Sequence, residues 1–465
     1  MTAADPQLLS ADLHSQSQWL HSGQISAVQL ARQQLAAIHA SQPVINSYLA
    51  IDEDAVLAAA SRSDARRARG LAGPLEGLPI AVKDNIDVAG HVTTAGMATR
   101  RDSAPASTDN PAVAALRAAG AVLLGKLNMH EAAMGADNNN PHFGACHNPH
   151  RHGCTPGGSS GGSGAAVAAG LCGAALGTDT MGSVRIPASY CGVVGLKPGW
   201  GVVSTRGTVP LCRRFDHIGP LVRSARDLRL LLPVLADYDP DCAQSRRACF
   251  STPLERPLRL GVVDLAGAVN IDADVQAAFE QGVAQLCALG HQPINLPAPT
   301  LTPGSARRAA LLLCEAEMLV EHAAAWQHRR EDFSPPLARL MAWAEDKPGT
   351  DLVRASLRVD QAQVQLQQWL QQCDVLLLPT TPQTAFAFDA PVPANQADLT
   401  SYANMAGCPA LSLPLPVATG SLPIGLQLVG DHGSELQLIA LAEAFQQDIG
   451  WQPTIPSACH AWWPR

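Results

Sequence analysis

The stretch TDTMGSVRIPAS, residues 178–189, seats Ser183 one step after Gly182 and two before Arg185. A serine held in a tight, glycine-cornered turn is a candidate nucleophile, and such a hydroxyl needs a base to take its proton. Histidine is missing where it would be sought: none occurs between His152 and His217. Lysine is the alternative. Among 32 lysines and arginines only Lys83, Lys126, Lys197 and Lys347 are lysines. A chain that uses arginine so freely keeps lysine where a guanidinium cannot serve, because arginine stays protonated while a buried amine can release its proton near neutral pH. Lys83 ends the apolar run LPIAVK, where desolvation lowers the pKa of an amine. It is a candidate general base. The competing reading is a structural ion pair with Asp84 or Asp87.

Three other patterns imitate chemistry. GAVLLGKL, residues 120–127, approaches a phosphate-binding loop, but Leu127 stands where a Ser or Thr must reach magnesium, so it reads as a strand followed by a lysine. GGSSG, residues 157–161, matches the nucleophile elbow G-x-S-x-G, yet loop-like HRHGCTP precedes it instead of a strand. PHFGACHNPHRHGC gathers His142, Cys146, His147, His150, His152 and Cys154 without a recognised zinc spacing, and reads as a loop with surface histidines. No metal or other cofactor is expected.

These residues must be positioned by a substantial core. The chain has 465 residues, 47 % hydrophobic and 15 % charged, as a globular protein requires. A net charge of −8 argues against a nucleic-acid surface, and the basic cluster RRAR at 66–69 reads as a solvated helix face. Twelve cysteines without a C-x-x-C pair read as reduced, buried thiols. No signal peptide or membrane span is visible, so a cytoplasmic location is expected. Residues 26–40 read as an amphipathic helix opened by Ser26 and Gln29 as a capping pair. The runs GLPIAVKDNIDV (ending as a strand near Lys83), GAVLLG, AALGTDT, LRLGVVDL, CDVLLLPTTP and IGLQLVG alternate with helical segments, which predicts an α/β sheet core.

Taken together, GLPIAVKDNID, TPGGSSGGSGAAVAAG and GTDTMGSVRIPASYCGVVGLKP resemble the amidase signature family, and the similarity runs from about residue 22 to GCPALSLPLPVATGSLPIGLQLVG. The resemblance implies one α/β/α domain over 1–465 around a large mixed sheet. Within it lie an N-terminal helical segment (1–60), a catalytic core (75–230) and a helical cover near the pocket (306–372). It implies a catalytic unit of Lys83, Ser159 with a cis peptide bond, and Ser183. Neutral Lys83 would draw a proton from Ser159, and Ser159 one from Ser183, which attacks the amide carbonyl. It further implies an oxyanion site from the N–H groups of Thr180, Met181, Gly182 and Ser183, and a pocket-lining Met134. Glycine is usual where Met181 stands, so Met181 must avoid a strained positive φ or tolerate it, and its side chain is expected to narrow or roof the pocket. Arg185 and Asp179 are expected to pair across the turn, with substrate-carboxylate binding by Arg185 as the alternative. The implied function is an amidase that hydrolyses a small-molecule carboxamide, without nucleic acid or membrane as partner and compatible with a homodimer. The alternatives are a glutaminase subunit of a tRNA-dependent amidotransferase and an esterase. Arg358 and Asp398 fall near, but not clearly at, the glutamine-binding positions of such subunits, and an esterase of the α/β-hydrolase type would need a catalytic histidine.

Overall fold

Each apolar run quoted above becomes a strand, and each strand joins one sheet. The computed structural model describes residues 5–461. Its strands are β1 (Tyr48–Ala50), β2 (Pro79–Lys83), β3 (Val122–Leu127), β4 (Ala174–Asp179), β5 (Val194–Lys197), β6 (His217–Val222), β7 (Arg259–Val263), β8 (Gln292–Leu296), β9 (Val375–Pro379), β10 (Ala410–Pro414) and β11 (Gly425–Val429). They form an 11-stranded sheet in the order β1-β3-β2-β4-β6-β5-β10-β11-β9-β7-β8. The sheet is mixed: β2 is parallel to both β3 and β4, β7 is parallel to β8 and β9, and the strands from β4 through β6, β5, β10 and β11 to β9 alternate in direction.

Helices cover both faces, which is why β2, β4, β9, β10 and β11 are buried at every residue and read as continuous apolar runs. The predicted N-terminal helix spans Ala27–Ile45, and Ser26 caps it by accepting from Gln29 N–H at 3.0 Å. Helix Gly161–Ala168 is buried throughout. A Cβ on Gly162 would stand 2.3 Å from Asn128 O, so only glycine lets this helix approach the β3 end so closely. Helices Pro303–Glu321, Pro335–Glu345 and Gly349–Leu370 fill the 306–372 stretch. No helix of the described residues is long and apolar enough to cross a membrane.

Candidate active site

Lys83 is the last residue of β2, at the carboxyl end of the parallel β3-β2-β4 group, where open α/β sheets present their ligand crevices. Its side chain is fully buried. Nζ lies 2.7 Å from Ser159 Oγ and 2.7 Å from Thr178 Oγ1, the latter also bonded by Asn85 Nδ2 at 3.1 Å. Removal from water pushes the amine down to about 7, and the negative charges of Asp179 and Asp216 offset only part of that effect. The ion-pair alternative is not realised. Asp84 pairs with Lys126, at 3.0 Å, and Lys126 lies inside β3 and not after it. Among the described residues no carboxylate is within ion-pair reach of Lys83.

The glycine-serine run supplies the partner of Lys83. The Gly158–Ser159 peptide is cis, and Gly157 holds a φ of 82° while packed against Pro187. Ser160 Oγ donates to Thr178 O at 3.0 Å, and Ser163 Oγ donates to Leu176 O at 3.1 Å, so the run is fastened along β4. Ser160 N–H donates to Ser183 O at 3.2 Å. That bond brings the two serine motifs side by side, one residue from Ser159.

The turn carrying Ser183 is built around a buried ion pair. Asp179 accepts from Arg185 Nε (3.0 Å) and Nη2 (2.9 Å), and Arg185 also donates to Thr400 O, Gln427 Oε1 and Asn404 Oδ1. Every guanidinium donor is spent and the side chain is fully buried, so Arg185 has none left for a substrate carboxylate. Such saturation is what makes a buried pair tolerable, and it holds the Asp179 carboxyl far below its ordinary range against the upward push of burial. One expectation is corrected here. The Gly182 N–H donates to Asp179 Oδ1 at 2.7 Å, so it is committed to the turn and not free for an oxyanion. The N–H groups of Met181 and Ser183 meet no acceptor among the described residues. Thr180 lines the cavity, and its Oγ1 donates to Asp216 Oδ1 at 2.6 Å. Met181 avoids the left-handed region, because Gly182 takes the unusual angle, φ 129°.

Gly182→Ala is therefore expected to disrupt the turn. Its Cβ would stand 2.3 Å from Thr400 Oγ1 and 2.8 Å from Thr400 Cβ, at a φ that L side chains avoid. A cost on the order of 3 kcal/mol is expected, read as a lowered urea midpoint at unchanged m-value.

Ser183 opens on a cavity of about 190 Å³, and its Oγ makes no hydrogen bond with the described residues. Met134 and Met181 line the wall with Ile186, Leu211, Leu311 and Leu340, the last two from the 306–372 helices. No histidine does. Ala132 and Ala133, at φ 51° and 60°, carry the chain past this wall, and nothing in their sequence announces it. Arg307 also lines the cavity and pairs with buried Asp398 at 2.6 Å. Arg358 does not reach it: it is exposed, in a surface groove beside Trp343. In the His142–Cys154 stretch, His142 pairs with Glu131, His150 meets Cys191 O at 3.0 Å, and His147 and His152 stack at 4.1 Å. They gather no metal-ligating trio among the described residues.

Comparisons with known proteins bear on the family and the fold. The family model described as Amidase matches residues 29–439. A glutamyl-tRNA(Gln) amidotransferase subunit of Synechococcus sp. (strain CC9605) is 36 % identical, over 92 % of this chain and 94 % of the relative. Among solved structures, a chain from a vestigial protein complex bearing on the origins of an s-triazine catabolic enzyme has a TM-score of 0.89 at 33 % identity, over 96 % of this chain and 100 % of that one. The peptide amidase of Stenotrophomonas maltophilia has a TM-score of 0.84 at 27 % identity, over 96 % and 99 %. With a matched model over most of its length and relatives of this closeness, the chain belongs to the amidase signature family.

Proposed function

We propose that the chain hydrolyses a carboxamide through an acyl-enzyme on Ser183, with Ser159 relaying protons to and from Lys83. The observation that carries this reading is the 2.7 Å contact between Ser159 Oγ and a fully buried lysine held near pKa 7, beside the cavity that Ser183 faces. A neutral Lys83 accepts the Ser159 proton, Ser159 accepts that of Ser183, and Ser183 Oγ bonds to the carbonyl carbon. The relay reversed delivers a proton to the departing nitrogen, and water repeats the cycle on the ester. The Ser159–Ser183 contact is the one that substrate binding must tighten, as is common for catalytic hydrogen bonds in free enzymes. The unengaged N–H groups of Met181 and Ser183 are the donors we assign to the developing oxyanion.

A mostly apolar cavity suits a small carboxamide with an apolar acyl group. The second reading, a glutaminase subunit of a tRNA-dependent amidotransferase, is favoured by the names of the curated relatives. The Arg307–Asp398 pair at the cavity wall offers it a place for the charges of glutamine. Assaying the purified chain alone against primary amides, anilides, carbamates and glutamine separates the two. Turnover of apolar amides supports the first, and turnover of glutamine only, or only with partner subunits, supports the second.

Met181→Gly tests who shapes the cavity. The side chain borders the nucleophile, while its N–H belongs to the backbone and survives the substitution. Bulkier acyl groups are expected to gain in kcat/KM by about 1–3 kcal/mol per fitted group, with little change for the best small substrate. A uniform loss across an acyl series would mean that Met181 supports the turn itself.

A further inference from the structure

We infer that Cys408, Asp431 and His432 form a binding site for a zinc-class divalent cation at the mouth of the β10–β11 pair, outside the amidase cavity. The cluster joins two distant pieces of chain: Cys408 precedes β10, while Asp431 and His432 form the turn after β11. One ligand atom from each lies within 4.8 Å of the others, and Cys408 Sγ is 4.0 Å from His432 Nε2. A thiolate, an imidazole and a carboxylate are the donors that zinc takes in tetrahedral sites, at bond lengths of about 2.0–2.3 Å. A shift of well under an ångström per side chain would close the three around one ion. Cys408 is buried while Asp431 and His432 are exposed, so the ion has an entry path.

A second observation points the same way. Glu435 is fully buried, and its Oε2 has no hydrogen-bond partner among the described residues, although its Oε1 accepts from Gly199 N–H at 2.9 Å. Gly199 wedges this carboxyl against the Gly407–Cys408 segment: a Cβ there would lie 3.1 Å from Glu435 Oε1 and 3.6 Å from Gly407 O. Buried Lys197 lies beside this carboxyl, interacting with Glu435 and donating to Cys408 O at 2.6 Å, but it leaves Oε2 without a hydrogen bond, and a cation at Cys408 would add to the positive field that this oxygen meets. Binding converts the Cys408 thiol to a metal thiolate and releases its proton to solvent. The bound segment continues from helix Ser401–Met405, whose Asn404 holds Asp179 and Arg185 of the nucleophile turn. The ion would therefore brace that turn from behind.

The reduced full chain, equilibrated with Zn²⁺ and desalted, is expected to retain one equivalent by elemental analysis and to gain in Tm. Loaded with Co²⁺ instead, it is expected to show a thiolate-to-cobalt charge-transfer band. Cys408→Ser is expected to lose the metal, the band and the Tm gain. His432→Ala, a change at an exposed residue that leaves the core intact, is expected to lose the retained equivalent. Absence of retained metal in the native chain would overturn the site. So would metal that survives both substitutions but is lost on changing His147 and His152.

Discussion

Ser183→Ala is expected to lower kcat for amide hydrolysis on the order of 10⁶-fold while leaving the fold in place. The magnitude follows from removing the nucleophile of a unit whose members act together, after which only binding and oxyanion donors remain. The fold is spared because Ser183 Oγ holds nothing in the free protein: the turn is fastened by Asp179, Arg185 and Asn404 and by the Ser183 backbone carbonyl, all of which alanine keeps. Stability is thus expected within about 0.5 kcal/mol of the parent. The same substitution is expected to abolish covalent labelling by a fluorophosphonate, which reports the acylated residue directly. Ser159→Ala gives the contrast. It keeps Ser183 and the bond from Lys83 to Thr178, so labelling is expected to slow but still to occur at Ser183. Labelling that persists in Ser183→Ala and maps to another serine or to a cysteine refutes the assignment.

The candidate base was singled out in the sequence by scarcity. With four lysines in the chain, one ending a buried strand, Lys83 stands out before any geometry is known. Three of the four prove fully buried, which justifies the reasoning and also limits it, since Lys126 and Lys197 are buried for other ends. Lys126 meets Asp84, and Lys197 donates to the carbonyls of Pro198 and Cys408. The β2, β3, β4, β9 and β11 strands were legible as apolar runs. By contrast β6 was not, because Pro220 sits mid-strand in the sheet interior, opposite Leu176, where proline argues against a strand. The groups that steady the site were also hidden. Asp216, Asn404 and Arg307 are brought in from separate elements, and their neighbours in sequence carry no pattern that distinguishes them from any other polar residue, while Thr178, inside the stretch that carries Ser183, gave no sign of its bond with Lys83. The Gly182 N–H illustrates the same limit: a motif locates a backbone donor but does not say that an acid three residues earlier has already claimed it.

Lys83 carries the other large effect, and pH separates its role from that of a structural cation. If neutral Lys83 starts the relay, kcat/KM is expected to rise with pH along an acidic limb with an apparent pKa near 7. Burial holds Lys197 near 7 as well, so the limb must be assigned by substitution. Lys83→Arg keeps the charge but cannot release it, and leaves a guanidinium in a site with no carboxylate in ion-pair reach. Lys83→Met keeps most of the volume and removes the charge, leaving the Ser159 and Thr178 hydroxyls without their shared partner, at about 1–3 kcal/mol. Both are expected to lose at least about 10²–10⁴ in kcat/KM, with the limb gone from whatever activity remains. Stability supplies an independent reading. A lysine whose folded pKa is depressed has released its proton above pH 7 in the native state, while the unfolded chain still holds it up to the ordinary value of 10.5. The unfolded state then binds more protons, so stability is expected to rise with pH across that window, by about 1.4 kcal/mol per pH unit for each such lysine. Between about pH 7.5 and 8.5, where the thiols contribute equally to both proteins, Lys83→Met should show a slope smaller by nearly one proton than the parent. An unchanged slope would mean that Lys83 is charged in the native protein. Substantial activity in Lys83→Arg would reduce it to an electrostatic support and require another base for Ser183.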